Sequence, residues 1–507
     1  MSGPATPASG YTLTDVIVRN ARTRGDEVAF VHTSTVTHRE HLHRVEQLAA
    51  GLHKAGITRG DRVAILSKNR IEYADLLGAA ARLGAVLSAI NWRLSAVEVS
   101  AVLHGDEPKL VFAEDEFWPL LDPVLEEAGL DLEPIGIDSR RDGFRCIADL
   151  YLTDTASDVT PVHADDPVLL IHTAWIDGRP KAAMLSHSNL IANAIQLQCV
   201  WGLTADDVHL CCLPLFHITA ISLTLATQLA GGSTVVMTKF DAKQASTLIE
   251  QHEVTLFAEF APMLEGLLSA SADQPAQLAS IRHVCGLDSP ETIRSLQAIC
   301  PDSTFWVGYG QTEVCGLVSL APFRDAPGDV GFPLPLCAID IVGDVGQPVP
   351  PGESGEIVVR GPSVFLGYWR RPNDNEQVFR GGWLHTGDSG RFDAEGRLWY
   401  SGRLAVKELI KTGGENVYPA EVEAVLRQHP ALIDAAVIGV PDAQWGEAVK
   451  AVCTPAAGMA PSESDVIDFV AARIARYKRP RLVVFVPALP KKSDGTNDRE
   501  RIRQLYG

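Results

Sequence analysis

The sequence lacks the features that mark several classes of protein. It has no long uninterrupted apolar run, so no segment is predicted to cross a membrane. Its 9 cysteines include no CxxC pair, and their spacing predicts neither a disulfide framework nor a zinc site. The Ser-, Pro- and Ala-rich start has no basic head followed by an apolar core, as a signal peptide would. We therefore expect a cytoplasmic protein without structural metal.

Positive charge is also scarce. The 507 residues include 44 Lys and Arg against 63 Asp and Glu, a formal net charge of −19. A field of that sign argues against nucleic acid or an anionic membrane as the main partner. Hydrophobic residues make up 46% and charged residues 21%, which is typical of globular domains, and the length predicts about three domains or subdomains.

Three patterns of hydrophobicity follow one another along the chain. At first, short β-branched runs such as 62–67 alternate with helical periodicity such as 71–87, which predicts parallel sheets covered by helices. From about Gly328 the strands become short and are separated by Gly and Pro, which predicts an antiparallel, barrel-like part over 328–402. From 408 onward a β/α unit of about 100 residues predicts a small separate domain.

An ordered series of motifs covers most of the chain and resembles the adenylate-forming superfamily, which includes acyl-CoA synthetases, peptide-synthetase adenylation domains and luciferases. Any one of these motifs is weak alone, whereas their order is highly specific. The form GGENVYPAEVE and the later GVPDAQWGE are similar to the CoA-ligase branch. The series is GDRVAIL from Gly60, NWRL from Asn91, PLFH from Pro214, GYGQTE from Gly308, GESGEIVVRGPSVFLGYW from Gly352, WLHTGD ending at Asp388, SGR from Ser401 and KELIKTGGENVYPAEVE from Lys407.

The resemblance implies an α/β fold with a large N-terminal domain, 1–402, and a small mobile α+β C-terminal domain, 408–507. The N-terminal domain would contain two helix-covered β-sheet subdomains and the barrel-like part, and a hinge would occupy 403–407. Two half-reactions are implied. A carboxylate first attacks ATP to give acyl-AMP and pyrophosphate, and a CoA thiol then displaces AMP after the C-terminal domain rotates.

The family pattern also implies roles for residues that would bind the adenylate. Taken singly, a core tyrosine or a turn aspartate would be the more ordinary interpretation, but the ordered motifs favour the functional one. A charged ribose acceptor makes the stronger hydrogen bonds. The implied set is Tyr309 stacked on adenine, Gly310 beside it, Thr312 on the α-phosphate, Glu313 on Mg²⁺, and Asp388 and Arg403 on the ribose.

A second implied set would serve CoA. His217 matches the position that gates between the acyl pocket and the pantetheine tunnel, although a satisfied core histidine is an equal alternative. Gly413 and Gly414 would let the pantetheine arm pass close to the backbone. Residues 473–503 carry 10 Lys and Arg against 3 Asp and Glu, which fits CoA phosphates or simply a solvated basic face. The candidates for CoA binding are Lys411, Arg476, Lys478 and Arg479.

The phosphate loop departs from the family pattern. That pattern reads T-S-G-T-T-G-x-P-K-G, whereas this chain has TAWIDGRPKA from Thr173. The hydroxyls are lost, and a bulky indole replaces a glycine that would approach phosphate closely. The new aspartate repels phosphate by about 1 kcal/mol at 4 Å in water, or about 4 at an effective dielectric constant of 20. The degenerate loop comprises Ala174, Trp175, Ile176, Asp177, Gly178 and Lys181.

A second departure lies near the C-terminus. The family has a lysine there that reaches the carboxylate and the α-phosphate during adenylation, and this chain has Thr496. Loss of one such donor typically costs about 2.7–4 kcal/mol, or about 10²–10³ in rate. Lys491 or Lys492 would have to reach from the far side of a glycine turn.

Both departures fall on the ATP half-reaction, while the adenosine and pantetheine motifs are intact. The pattern therefore predicts a ligase that takes a preformed acyl-AMP, uses CoA as co-substrate, needs no Mg²⁺ and depends on a separate adenylating enzyme. It is similar to the non-adenylating ligases of diterpenoid-antibiotic assembly. The alternatives are a complete ATP-dependent acyl-CoA synthetase with an unusual lysine, and an inactive paralogue that binds adenylates.

Overall fold

The computed structural model describes residues 10–129, 132–141, 143–153, 161–176, 179–404, 409–413, 415–442, 445–492 and 496–507. Its α-helices are α1 (Leu13–Thr23), α2 (His38–Lys54), α3 (Ile71–Leu83), α4 (Ala96–Asp106), α5 (Trp118–Ala128), α6 (His187–Trp201), α7 (Ile218–Ala230), α8 (Ala242–His252), α9 (Met263–Ala270), α10 (Pro290–Ile299), α11 (Pro372–Val378), α12 (Pro419–Leu426), α13 (Glu463–Ala471) and α14 (Arg499–Tyr506).

The strands follow the same chain order. They are β1 (Val28–Val31), β2 (Thr35–Thr37), β3 (Arg62–Leu66), β4 (Val86–Ile90), β5 (Leu110–Ala113), β6 (Glu133–Gly136), β7 (Arg145–Cys146), β8 (Pro167–Ile176), β9 (Arg179–Ser186), β10 (Val208–Cys211), β11 (Ser233–Val236), β12 (Leu256–Phe260), β13 (His283–Leu287), β14 (Thr304–Gln311), β15 (Gly316–Pro322), β16 (Phe332–Pro333), β17 (Ala338–Val342), β18 (Gly355–Arg360), β19 (Gly367–Tyr368), β20 (Phe379–Arg380), β21 (Trp383–Phe392), β22 (Leu398–Arg403), β23 (Ile410–Thr412), β24 (Glu415–Val417), β25 (Leu432–Asp442), β26 (Gly446–Pro455) and β27 (Leu482–Phe485).

Two large sheets form the body of the N-terminal part. One has the order β19-β9-β8-β4-β3-β5-β6-β7 and the other β16-β15-β14-β13-β12-β10-β11-β1-β2. Their central pairs are parallel, and antiparallel pairs occur toward the edges. A large cluster of buried apolar side chains packs between them, with Phe112 and Leu223 among its members. The predicted α/β class with two helix-covered sheets is therefore confirmed.

One helix boundary differs from the prediction. The periodicity of 71–87 predicts a longer helix, but α3 ends at Leu83 because Gly84 adopts a left-handed φ of 67°. The chain then enters β4, whose five residues are all buried. A buried strand and a buried helix segment both read as continuous apolar runs, so periodicity alone could not separate them.

The third sheet has the order β17-β18-β21-β20, with β22 paired to β21, and all of these pairs are antiparallel. It corresponds to the part predicted to be antiparallel and barrel-like. The fourth sheet, β24-β23-β26-β25 with β27 beside β26, has its own core with α12 and α13. The boundaries 1–402 and 408–507 stay predictions, and most of the predicted hinge, 405–407, lies outside the described residues.

Candidate active site

Tyr309, Asp388 and Arg403 meet in the structure. The hydroxyl of Tyr309 donates to Oδ2 of Asp388 at 2.7 Å. Oδ1 of Asp388 lies 3.6 Å from Nε of Arg403 and makes no hydrogen bond within the described part of the chain. The Asp388 carboxylate is 2% exposed. A buried carboxylate with one oxygen unused suits a hydroxyl donor, since a charged acceptor makes a strong hydrogen bond.

Strand register explains this meeting. Asp388 on β21 is paired directly with Arg403 on β22, and Tyr309 approaches from β14 of the second large sheet. Thr386 holds the backbone of the TGD motif within β21, because its hydroxyl donates to the carbonyl of Ile357 at 2.6 Å and accepts from the Asp388 N–H at 3.1 Å.

The Tyr309 ring lies in an apolar, aromatic setting. It stacks on Tyr400 with ring centroids 5.8 Å apart and an angle of 25° between planes. Burial raises the pKa of Tyr309 well above its usual value, and the Asp388 charge acts in the same direction. The phenol therefore keeps its proton and remains a hydrogen-bond donor at any physiological pH.

Glu313 follows β14 in a short 3₁₀ turn, Thr312–Val314, and its carboxylate is buried. Its Oε1 accepts from the hydroxyl of Tyr368 at 2.6 Å. The described residues contain no group of three or more His, Cys, Asp or Glu side chains placed to hold a metal ion. Glu313 thus fits Mg²⁺ only as one carboxylate beside substrate phosphates, which is the usual arrangement for this ion.

A cavity of about 160 Å³ lies beside β14, the strand that carries Tyr309. Its wall combines apolar side chains such as Ile218 and Phe260 with small residues of β13 to β15, including Gly286 and Gly310. Lys411 from the C-terminal part also lines it. Surrounding protein atoms desolvate the Lys411 amine and Arg403 repels it, so the pKa of Lys411 is lowered.

His217 contacts the C-terminal part through Glu415. Its Nε2 lies 3.3 Å from Oε1 of Glu415, and Nη1 of Arg93 contacts the same oxygen. Burial lowers the pKa of His217 to about 3, and Arg93 acts in the same direction. The imidazole is therefore neutral near pH 7 and donates from Nε2 to the buried Glu415 carboxylate. His217 is thus neither isolated in the core nor a cationic group.

The loop that carries Glu415 needs its first glycine. Gly413 has a φ of 57°, and a Cβ at this position would lie 2.5 Å from the indole of Trp445. Only glycine takes this conformation without strain. The N–H of Gly413 donates to the Trp445 carbonyl at 3.0 Å. The predicted partner Gly414 lies outside the described residues.

The degenerate phosphate loop is largely strand. Antiparallel pairing of β8 with β9 continues, after a bulge, through Trp175 with Pro180 to Ile176 with Arg179. Asp177 and Gly178 lie outside the described residues. Cross-strand pairing uses backbone groups alternately along each strand. A phosphate cradle instead needs successive N–H groups turned toward one point.

The lysine of this loop is already paired. Nζ of Lys181 lies 2.6 Å from Oδ1 of Asp374 and 5.0 Å from the centre of the Tyr368 ring. Lys181 is buried. The Asp374 charge therefore opposes any attraction that Lys181 would exert on a phosphate.

Thr496 lies near β25 in the C-terminal domain. Its carbonyl accepts from the Lys492 N–H at 2.8 Å, and the neighbouring Asn497 donates to the carbonyl of Ala435 on β25. Lys491 is ion-paired with Asp434 of the same strand. In this structure Lys491 is therefore not directed at Tyr309 and Asp388.

The prediction that Lys478 binds CoA phosphates is wrong for this arrangement. Its side chain is 2% exposed, and Nζ donates to Glu98 and Glu421 at 2.6 and 2.5 Å. An ammonium held between two buried carboxylates cannot reach a phosphate in solvent. Arg476 and Arg479 on either side are exposed and remain candidates.

Sequence reasoning missed Glu415, Arg93 and Asp374. Glu415 stands inside the GGEN motif and Arg93 inside NWRL, so both motifs were visible, but neither residue was given a role. Asp374 had no sequence signal, because it lies 193 residues from Lys181. Among the described helices, none is long and apolar enough to cross a membrane.

Comparisons with known proteins now define the class. The model of the AMP-binding enzyme family matches residues 17–369, and that of the AMP-binding enzyme C-terminal domain matches 421–496. The chain belongs to this family, and it is an acyl-CoA ligase of the adenylate-forming superfamily.

Individual relatives agree. An indoleacetate–CoA ligase from Aromatoleum aromaticum is 36% identical, with 91% of each chain covered. A feruloyl-CoA synthase from Amycolatopsis is 35% identical over 97% of this chain and 98% of its own. A solved o-succinylbenzoate CoA synthetase double mutant from Bacillus subtilis, bound with a product analogue, is 28% identical with a TM-score of 0.84, covering 96% and 98%. These names give no support to a narrower likeness to antibiotic-assembly ligases.

Proposed function

We propose that this ligase performs only the second half-reaction, in which a preformed acyl-AMP and CoA give acyl-CoA and AMP. The observation that carries the proposal is the β8–β9 ladder, which occupies the place of the phosphate loop and continues to Ile176 and Arg179. Pyrophosphate must be held while it leaves in the first half-reaction, whereas the second releases only AMP.

Two further contacts support the proposal. The Lys181 charge is opposed by Asp374, and no lysine replaces the family residue at Thr496. Lys491, one of the two nearby alternatives, is engaged by Asp434. Each change removes or neutralises positive charge that would stabilise negative charge on the phosphates during adenylation, and stabilisation of this kind is often the largest single contribution to catalysis.

The groups expected to bind the adenylate are well arranged. Oδ1 of Asp388 is a buried, charged acceptor for a ribose hydroxyl, with Arg403 beside it, and Tyr309 presents its ring near the base position. Thr312 lies one residue before Glu313 at the start of the 3₁₀ turn, where it would face the α-phosphate. Mg²⁺ would neutralise phosphate charge if Glu313 held it, and the thioester step as proposed does not depend on it.

Contacts of the C-terminal loop support the proposed thioester step. The Glu415 carboxylate holds His217 as a neutral donor, and Gly413 allows the loop backbone to come close. A CoA thiolate would attack the acyl carbonyl, the tetrahedral adduct would expel AMP, and the thiol proton would pass to solvent. Exposed Arg476 and Arg479 would attract the CoA phosphates. A separate adenylating enzyme would supply the acyl-AMP.

The names of the relatives favour one other function, a complete ATP-dependent ligase, so the test must separate the two. Synthetic adenylates of indoleacetic, ferulic, 2-succinylbenzoic and long-chain fatty acids are each incubated with CoA. The acid of the adenylate that reacts fastest is then supplied with ATP, Mg²⁺ and CoA. We expect thioester only from the adenylate. Equal rates from the acid and ATP would overturn the proposal, and purified protein that binds adenylates without forming thioester would indicate an inactive paralogue.

A further inference from the structure

A buried cluster of three ionisable side chains joins the N-terminal and C-terminal parts of the chain. Glu98 lies on α4 of the N-terminal part, and Lys478 and Glu421 belong to the C-terminal part. Nζ of Lys478 donates to Oε1 of Glu98 at 2.6 Å and to Oε1 of Glu421 at 2.5 Å. Glu98 and Lys478 are each 1% exposed. Charges buried this deeply are stable only when paired. Because Glu98 belongs to one domain and its partners to the other, the pairing forms only in a domain orientation that brings them together.

Glu98 holds both domains with a single carboxylate. Its Oε2 accepts from the Ser95 N–H at 2.7 Å, which completes the capping box of α4. The same oxygen accepts from the Ala475 N–H at 2.9 Å. Because Ala475 and Lys478 belong to one turn, the carboxylate binds both the backbone and the side chain of that turn.

Apolar packing makes the same contact specific. Ala475 is buried within a cluster whose other buried members are N-terminal residues, among them Leu94, Val99 and Phe117. The hydroxyl of Ser95 donates to the carbonyl of Arg473 at 3.3 Å. The turn around Ala475 therefore fits one site at the start of α4.

The cluster is connected in two ways to the loop that carries Glu415. Residues 91–98 contact Glu415 through Asn91 and Arg93, and they contact Lys478 through Glu98. Glu421 lies in the first turn of α12, which begins four residues after Glu415. Loss of the cluster would thus release the helix that follows the Glu415 loop.

We propose that Glu98 is a positioning residue that, through Lys478 and Glu421, holds the C-terminal domain in the orientation that places Glu415 against His217. The proposal rests on the assignment of this orientation to thioester formation. It does not depend on whether adenylation has been lost, because it concerns only the rate of the CoA step.

The test uses Glu98→Gln, because glutamine also completes a capping box but does not carry the charge that pairs with Lys478. The matched control is Glu40→Gln, the same change in the capping box of α2, where Glu40 is exposed and bonds only to Thr37 in that cap. Loss of a charge-assisted hydrogen bond shifts an equilibrium by about 10- to 100-fold. Single-turnover rates are measured with CoA and with whichever of the four synthetic adenylates named above the wild type uses fastest.

We expect Glu98→Gln to slow thioester formation about 10- to 100-fold, while adenylate affinity and Tm stay close to those of Glu40→Gln. An unchanged rate, or a rate that falls in parallel with adenylate affinity, would overturn the proposal. If Glu98→Gln does not fold, Lys478→Met carries the same prediction and the same contrary outcomes. ATP-dependent activity in the wild type would refute the proposed loss of adenylation and leave this result standing.

Discussion

The nucleoside end and the triphosphate end of the candidate site are built in different ways. At the nucleoside end, Tyr309, Asp388 and Arg403 come from three strands and direct polar groups at one point. At the triphosphate end, backbone groups of β8 and β9 pair with each other, and Lys181 pairs with Asp374. Polar groups that satisfy one another make a stable surface, whereas those with unused capacity make a binding site. This difference between the two ends is what the proposed thioester-only function would require.

The largest expected effect comes from rebuilding the weaker end. Changing Ala174, Trp175, Ile176 and Asp177 to Ser, Gly, Thr and Thr, together with Thr496→Lys, restores the family hydroxyls, glycine and lysine. ATP-dependent acyl-CoA formation from the free acid should rise at least about 100-fold above the wild-type level, since a single such donor is worth about 10²–10³.

The loop changes alone and Thr496→Lys alone are the controls for this gain. We expect each to give less than the combination, because the loop would hold the departing pyrophosphate and the lysine would act on the α-phosphate in the same step. A combined variant that folds and forms thioester from the adenylate, yet gains no ATP-dependent activity, would show that the difference between the two ends lies elsewhere.

The next largest effect is expected when the charge of Asp388 is removed at the nucleoside end. Asp388→Asn keeps the shape but turns a charged acceptor into a neutral one. Adenylate affinity, measured by calorimetry, should fall about 10- to 100-fold, which corresponds to a charge-assisted hydrogen bond of about 1.5–3 kcal/mol. Asp344→Asn, at an exposed turn of the same subdomain, should change the affinity by less than about twofold. Equal affinities in the two variants would contradict the assigned ribose contact.

A smaller effect should appear in the CoA step. Glu415→Gln weakens the contacts to His217 and Arg93 but keeps the side-chain volume. Thioester formation should slow about 10-fold, which corresponds to about 1.4 kcal/mol, while adenylate affinity stays unchanged. If the affinity falls as much as the rate, Glu415 supports the adenylate pocket rather than the CoA step.

In the last comparison we expect no effect, because the contribution of His217 to the rate should not depend on pH. The pKa of His217 is lowered from 6.5 to about 3 by burial, so the folded protein holds the neutral imidazole throughout pH 5–8. It would be half protonated only near pH 3, which is below that window. The ratio of wild-type to His217→Asn rates should therefore be constant across it. A ratio that falls as pH drops through 6.5 would mean that His217 titrates during the reaction.

Much of this architecture follows from local sequence. The apolar run at β3 and the Gly- and Pro-rich strands after Gly328 each occur where the pattern predicts them. Tyr309 and Asp388 were proposed from motifs, and the structure brings them within 2.7 Å, although their ligand roles stay predictions.

The features that sequence missed depend on partners distant in the chain. Lys478 was assigned to solvent and CoA because basic residues surround it, yet its partner Glu98 lies 380 residues away. No local pattern reports such a pair. The pairing of β8 with β9 had a usable sequence signal, since an Asp-Gly dipeptide favours a two-residue hairpin connection.

The most direct test of the central claim is exchange of labelled pyrophosphate into ATP by the purified wild-type protein. The free acid whose adenylate reacts fastest with CoA is supplied with ATP and Mg²⁺. Our account predicts no exchange above the protein-free background, while the same preparation converts that adenylate to thioester. Rapid exchange that depends on the acid would contradict the account.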